Sequence, residues 1–156
     1  MLARAGSAFA ACCAAAALTG CGGGGDRSPA LSGLPLAPHT QVSVQTRSCN
    51  RGSNAFCALD FLLVGQGYRS GRDLLRAETR LLRHHHWVKV NAPVGQELAA
   101  DSPGQKLHVT YATASQELQA VALGWVKRPR RVTVALSHAM FAEQSVLAVD
   151  LQLGPG

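Results

Sequence analysis

Hydrophobic and polar residues alternate along several stretches of the chain, as they do in half-buried β-strands. Residues 41–47 alternate weakly and predict an edge strand, whereas the apolar, β-rich run 55–64 predicts a central strand. Strands are also predicted at 87–90, at 106–113 and at 145–153, where every second residue is apolar. Because these runs are short and separated by turn-forming residues, they predict one sheet of several strands.

Residues 71–83 show the clearest helical pattern of the chain. Ser70 and Asp73 have the spacing of a capping box, in which the serine hydroxyl accepts the backbone N–H three residues on. At about 100° per residue the leucines share one face, which we expect to cover the sheet. These are Leu74, Leu75, Leu81 and Leu82. The opposite, outward face carries five arginines, called the Arg face from here on: Arg69, Arg72, Arg76, Arg80 and Arg83.

A second helix is predicted after Pro129, a residue that suits the first turn of a helix. Apolar residues then recur at helical spacing (Val132, Ala135, Leu136, Ala139 and Met140). A strand through Val132, Val134 and Leu136 is the alternative. Leu118–Val126 fits either a hairpin strand, which we favour, or a short helix, and 97–105 is predicted to be a loop with a Ser-Pro-Gly turn.

The predicted elements define one small α+β domain over residues 41–156. We expect an antiparallel or mixed sheet of about four to six strands, with about two helices packed on one face.

The first 20 residues are built like a secretory signal. Arg4 and the amino terminus are positive, and the uncharged, Ala-rich run 7–18 is about as long as a signal-peptide core but too short to span a bilayer. The run ends in Leu18-Thr19-Gly20-Cys21, which resembles the lipobox of bacterial lipoproteins. The resemblance covers only this end of the chain.

The resemblance implies that a diacylglycerol joins the Cys21 sulfur, that the chain is cut before Cys21, and that the new amine is acylated, for example with palmitate. The protein would then be lipid-anchored on the exported face of a cell membrane, and membrane lipid would be its first partner. Residues 21–40 are rich in Gly and Pro, and we expect them to be a flexible tether.

The chain is basic, with 15 Lys and Arg against 9 Asp and Glu and a net charge of +6. Removal of residues 1–20 would take away one basic residue and no acidic one. A moderate positive charge is attracted to an anionic membrane. It is too diffuse to indicate nucleic acid, and we predict no nucleic-acid partner for an exported protein.

Only Cys49 and Cys57 remain when the signal and Cys21 are set aside. An even pair in an exported chain predicts a disulfide, here near the tip of a hairpin. The alternatives are free thiols and a zinc pair, for which a seven-residue spacer is unsuitable.

Glu78 lies among the leucines of the first helix, and a carboxylate on an apolar face must find a partner or change its pKa. We expect a structural hydrogen bond or ion pair beneath the helix, with a Trp or Arg of the sheet as the partner. A catalytic role would need a second carboxylate at a useful spacing, and we see none.

His84, His85 and His86 form the most tempting metal motif, but zinc needs three or four ligands that converge on one point. Consecutive residues of a helix diverge, and His39, His108 or His138 would have to complete the site. We therefore interpret the run as a polar helix end, where histidine suits the helix dipole, and predict no metal or cofactor.

Residues 65–71 (GQGYRSG) lie between a predicted strand and a predicted helix, where phosphate can bind to a helix N-terminus. The glycine spacing does not match G-x-G-x-x-G, and no GK[ST] follows, so we predict a tight turn. An anion held by Arg69, Arg72 and backbone amides is the alternative.

The Arg face, together with Lys127, Arg128, Arg130 and Arg131, is the best indication of a partner. Such a stripe is usually a solvated helix surface. Its functional meaning would be contact with lipid headgroups, an anionic envelope polymer or an acidic patch of an envelope protein.

The sequence contains no G-x-S-x-G, HExxH, CxxC or EF-hand pattern, which argues against the common hydrolases, metalloproteases and thiol redox enzymes. We predict no catalytic residues and favour a non-enzymatic binding or accessory module at the membrane surface. The alternative is a small envelope hydrolase or a metal-handling protein that uses Glu78 and histidines.

Overall fold

The structure of the protein, a computed structural model, describes residues 28–49, 57–113, 129–142 and 145–154, with side chains in the third range described as far as residue 139. The predictions for the signal, for Cys21 and for Leu118–Val126 lie outside the described residues.

Six strands form one antiparallel sheet. They are β1 (Thr40–Cys49), β2 (Cys57–Gly65), β3 (Val88–Val90), β4 (Leu98–Asp101), β5 (Leu107–Thr113) and β6 (Val146–Leu153). Their order across the sheet is β1-β2-β6-β5-β4-β3, and every neighbouring pair is antiparallel. The predicted α+β class is confirmed, and β1 lies at an edge of the sheet as its weak alternation predicted.

The two helices, α1 (Gly71–His84) and α2 (Arg130–Ala142), cover opposite faces of the sheet. Phe61 of β2 packs in the cluster that contains α1, whereas its neighbour Leu62 packs with α2. The prediction that both helices lie on one face is therefore wrong. The physical reason is that β2 and β6 are apolar on both sides, so each face of the sheet needs its own cover.

Helix α2 is confirmed by the burial of its side chains. Val132 and Leu136 are buried, while Val134 between them is 49% exposed. In a strand these three side chains would share one face, so the difference in burial agrees with the predicted helix and not with the strand alternative. Pro129 stands just before the helix and accepts the backbone N–H of Thr133 through its carbonyl oxygen.

The segment 28–40 belongs to the folded domain, although its composition predicted the second half of a tether. Residues 31–33 form one turn of 3₁₀ helix, and Leu34 and Ala37 are buried in the same core cluster as α1. The folded domain thus includes residues 28–40, which precede the predicted boundary at residue 41. The leucines of this segment bury enough apolar surface to order a stretch that Pro and Gly alone would leave open.

Strand β4 replaces part of the loop that was predicted at 97–105. Leu98, Ala99 and Ala100 are buried between β3 and β5, and a single 3₁₀ turn at Pro103–Gln105 follows. Four residues that include two alanines, which have low β-propensity, leave a weak strand pattern. Gly104 has a φ of 72°, so the Ser-Pro-Gly turn itself is present where it was predicted.

Cys49 and Cys57 lie directly opposite each other in the β1–β2 pair, with their sulfur atoms at 2.05 Å. The predicted disulfide therefore joins the last residue of β1 to the first residue of β2. It closes the hairpin at its loop end, where only seven residues of sequence lie between the two cysteines.

Replacing Cys49→Ser and Cys57→Ser together should lower the free energy of unfolding by about 2.5 kcal/mol, because the bridge restricts the unfolded chain. Urea unfolding monitored by circular dichroism measures the change. The wild-type protein after reduction is the matched control and should unfold at the same urea concentration as the variant. Equal stability of oxidised wild type and variant would contradict a stabilising bridge.

Candidate functional site

The arginine-bearing helix α1 begins at the cap that its sequence predicted. The hydroxyl of Ser70 accepts the backbone N–H of Asp73 at 3.2 Å, and the Asp73 carboxylate in turn accepts the backbone N–H of Arg69 at 3.4 Å. Residues 65–71 form a tight turn, in which Gly67 takes a φ of 81°. Because the Asp73 carboxylate already lies at the helix N-terminus, a second anion would be repelled there, and the phosphate alternative gains no support.

The C-terminal end of α1 is a Schellman motif, and it explains the histidine run. His86 takes the left-handed conformation (φ 61°) and donates its N–H to the Arg83 carbonyl, and the Trp87 N–H reaches the Leu82 carbonyl at 2.9 Å. His84 and His85 are the last helical residue and the cap. The run is thus the polar helix end that was predicted, and the motif turns Trp87 back against Leu82.

The two faces of α1 differ as the periodicity predicted. Leu74 has no exposed surface and Leu82 is 3% exposed, and both pack on the sheet. All five side chains of the Arg face are exposed. Among the described residues, no carboxylate lies within 4 Å of any of the five arginines. The Arg face is therefore a row of cations without acidic partners in the described part of the chain.

The second basic group of the sequence does not join the Arg face. Arg130 and Arg131 lie at the start of α2, on the other side of the sheet, and are exposed beside a groove of about 810 Å³ between α2 and β1. Lys127 and Arg128 lie outside the described residues. The helix arrangement therefore divides the predicted basic surface in two, and only the Arg face of α1 remains as a compact stripe.

Glu78 is the one charged side chain of α1 that points into the core, and it has no exposed surface. Its carboxylate accepts the backbone N–H of Ala37 at 2.8 Å and the hydroxyl of Tyr111 at 3.5 Å. The predicted structural role is supported, but the partners differ from the Trp or Arg that we expected. Ala37 belongs to a segment that was predicted to be a tether, and it donates through its backbone. Nothing in the sequence marks such an amide as the hydrogen-bond partner of Glu78.

Burial raises the pKa of Glu78 from 4.5 to about 7, against the opposing effect of its hydrogen bonds from Ala37 and Tyr111. Burial also raises the pKa of Tyr111 well above its ordinary value, and the neighbouring Glu78 charge adds to that rise. The two groups therefore share a site in which a proton is retained near neutral pH. The site is sealed, so it connects parts of the fold and does not face a substrate.

The structure does not bring Glu78 and the histidines together. His84, His85 and His86 are exposed, whereas Glu78 is enclosed beneath the helix. In the described ranges, no group of three or more His, Cys, Asp or Glu side chains is arranged to hold a metal ion. His108 lies 2.6 Å from its cross-strand neighbour Asp101, a pair that the sequence pattern did not single out.

Comparisons with protein-family models, with curated proteins and with solved structures found no match for this chain. Within the described ranges, no helix has both the length and the apolar character needed to cross a bilayer.

The raised pKa of Glu78 predicts a pH-dependent stability. Between pH 4.5 and pH 7 the folded protein retains a proton that the unfolded chain has released, so stability should fall as pH rises through this window. The contribution of Glu78 should amount to about 3 kcal/mol, complete below pH 4.5 and lost above pH 7.

Urea unfolding at several pH values should show this decline in the wild-type protein and not in Glu78→Gln. Glu97→Gln, which makes the same change in a half-buried glutamate, is the matched control and should keep the decline. Parallel profiles for wild type and Glu78→Gln would contradict the assignment.

Proposed function

We propose that this chain is a lipid-anchored envelope protein and that the Arg face of α1 binds anionic lipid headgroups of the membrane that holds the anchor. The protein would act as a non-enzymatic binding or accessory module on the extracytoplasmic surface. The anchor would be Cys21, through the lipobox that ends at this residue.

The observation that carries the proposal is that the chain enters the domain on the same side of the sheet as the Arg face. Leu34 and Ala37 pack in the core cluster of α1, and Ala37 is hydrogen-bonded to Glu78 of that helix. Cys21 precedes Ser28 by only seven residues, which span at most about 25 Å when fully extended. A lipid on Cys21 would therefore keep the α1 side of the domain within reach of the bilayer.

The electrostatics support the same orientation. The surface of an anionic membrane attracts each nearby Lys or Arg by about 1 kcal/mol, and the attraction decays within about 8–10 Å at physiological salt. An anchor of this length would hold the domain close enough to the bilayer for the arginines to come within the range of this attraction. Four arginines of α1, with Arg69 just before the helix, have no acidic partner among the described residues and can then contribute together.

The anchor predicts a defined chemical species in the membrane fraction. Intact-mass measurement of protein extracted from membranes should give a chain that starts at Cys21 and carries a diacylglycerol, whereas Cys21→Ser should yield a protein without lipid. A mature wild-type protein with an unmodified Cys21, or one that retains residues 1–20, would contradict the proposal.

The Arg face predicts binding to anionic vesicles even without the anchor. A chain that starts at Gly22, without the signal and without Cys21, should sediment with vesicles of phosphatidylglycerol and phosphatidylethanolamine and not with phosphatidylcholine vesicles. Adding Arg76→Gln and Arg80→Gln should weaken this binding by roughly 30-fold, because two cations are lost near the surface.

The matched control is Arg130→Gln with Arg131→Gln, which removes the same charge from the opposite side of the sheet. This control should bind like the parent protein, and raising the salt concentration should weaken binding in both. Equal losses in the two double variants would mean that net charge, and not the Arg face, governs binding. Strong binding to an anionic wall polymer without vesicle binding would also overturn the choice of lipid.

A further inference from the structure

A cavity of about 330 Å³ lies beside the end of the Arg face, between the C-terminal part of α1 and strands β3 and β4. Its walls are apolar and belong to the core. They are formed by Leu82, Trp87, Leu98 and Ala100, each no more than 6% exposed. Two cations, Arg83 and Lys89, also line it, and both are exposed. The volume is at the lower end of the range for small-molecule sites.

Trp87 provides an observation that is independent of the cavity's shape. Its side chain is almost fully buried, and no described residue accepts a hydrogen bond from its indole N–H. A buried indole N–H usually finds a hydrogen-bond partner. Here the donor lies in a residue that lines the cavity, so a ligand with an acceptor oxygen would supply the missing bond.

The positions of the two cations follow from the secondary structure. Lys89 is the cross-strand partner of Ala100 in the short edge strand β3, so it shares the side of the sheet that faces the α1 core cluster. Arg83 belongs to the last turn of α1, directly before the Schellman motif that places Trp87. An apolar recess flanked by two cations and one N–H donor is complementary to a molecule with an alkyl part and a compact anionic group.

We propose that this cavity binds one single-chain anionic amphiphile, of the chemical class of a fatty carboxylate. The alkyl chain would lie against Leu82, Trp87 and Leu98, and the carboxylate would bind between Arg83 and Lys89 and accept the indole N–H. The inference rests on the proposed function in one respect, since a protein at a membrane surface meets such amphiphiles there. The amphiphile in the cavity would be one bound molecule, distinct from the lipid headgroups that contact the Arg face.

The test is a titration of the full chain with monomeric decanoate, followed by the indole N–H signal of Trp87 in a nitrogen–proton correlation spectrum. Trp87→Phe assigns the signal. The signal should shift in a saturable way with decanoate, should shift much less with the neutral analogue decanol, and should not shift with decyltrimethylammonium. A Trp87 signal that decanoate leaves unmoved would overturn the proposal, as would equal affinity for decanoate and decanol.

Variants locate the ligand within the cavity. Ala100→Leu fills the recess and should weaken decanoate binding at least tenfold. Lys89→Glu reverses one charge at an exposed position where folding should be unaffected. It should also weaken decanoate binding at least tenfold. Arg83→Gln should weaken binding several-fold, whereas Arg72→Gln, the same change about three turns earlier on the helix, should not. Unchanged affinity in both Lys89→Glu and Arg83→Gln would overturn the proposal.

The outcome is separable from that of the vesicle experiment. Arg76→Gln with Arg80→Gln should weaken vesicle binding roughly 30-fold and leave decanoate binding intact, while Lys89→Glu should have the larger effect on decanoate. Decanoate binding without vesicle binding would support the cavity and contradict the Arg face. Vesicle binding without decanoate binding would support the Arg face and overturn the cavity proposal.

Discussion

The burial of β2 and β6 on both of their faces is the constraint on which the rest of the structure depends. Phe61 and Leu62 are consecutive residues of β2, they point to opposite sides of the sheet, and neither has any exposed surface. Burying such a side chain is worth about 1.5–3 kcal/mol, so neither side of these strands can be left to water. One side is therefore covered by α1 with the segment 28–40, and the other by α2. Once α1 is fixed by its leucines, its arginines have to point outward.

The carboxylate of Glu78 connects the parts that cover the first face. It lies beneath α1, accepts a bond from Ala37 of the entering segment, and contacts Tyr111 of the sheet. The segment that leads from Cys21 is thereby joined to the helix that carries the Arg face. A buried acid costs stability when it is ionised, which is why its pKa lies near neutrality. This polar contact holds the segment 28–40 and the helix that carries the Arg face on one side of the sheet.

Much of the fold could be predicted because local patterns agreed with tertiary packing. The alternation of residues 107–111 and 147–153 gave β5 and β6, and the Ser70 capping box gave the start of α1. The placement of the helices could not be predicted in the same way, because an apolar strand such as β2 does not reveal which face each helix covers. The Pro- and Gly-rich segment 28–40 was misassigned since composition outweighed its leucines. In the candidate site, too, some features could be predicted from local patterns and others could not. The Arg face follows from periodicity, whereas the amide of Ala37 and the cavity beside Trp87 arise only from contacts distant in sequence.

The central claim is that the domain meets the membrane with the Arg face of α1. Chemical modification of arginine side chains by a dicarbonyl reagent, quantified peptide by peptide on the protein extracted from membranes, tests it most directly. On anionic vesicles, compared with detergent micelles, Arg72, Arg76, Arg80 and Arg83 should become protected while Arg130 and Arg131 keep their reactivity. Equal reactivity of the Arg face in both environments, or protection of Arg130 and Arg131 instead, would contradict the account.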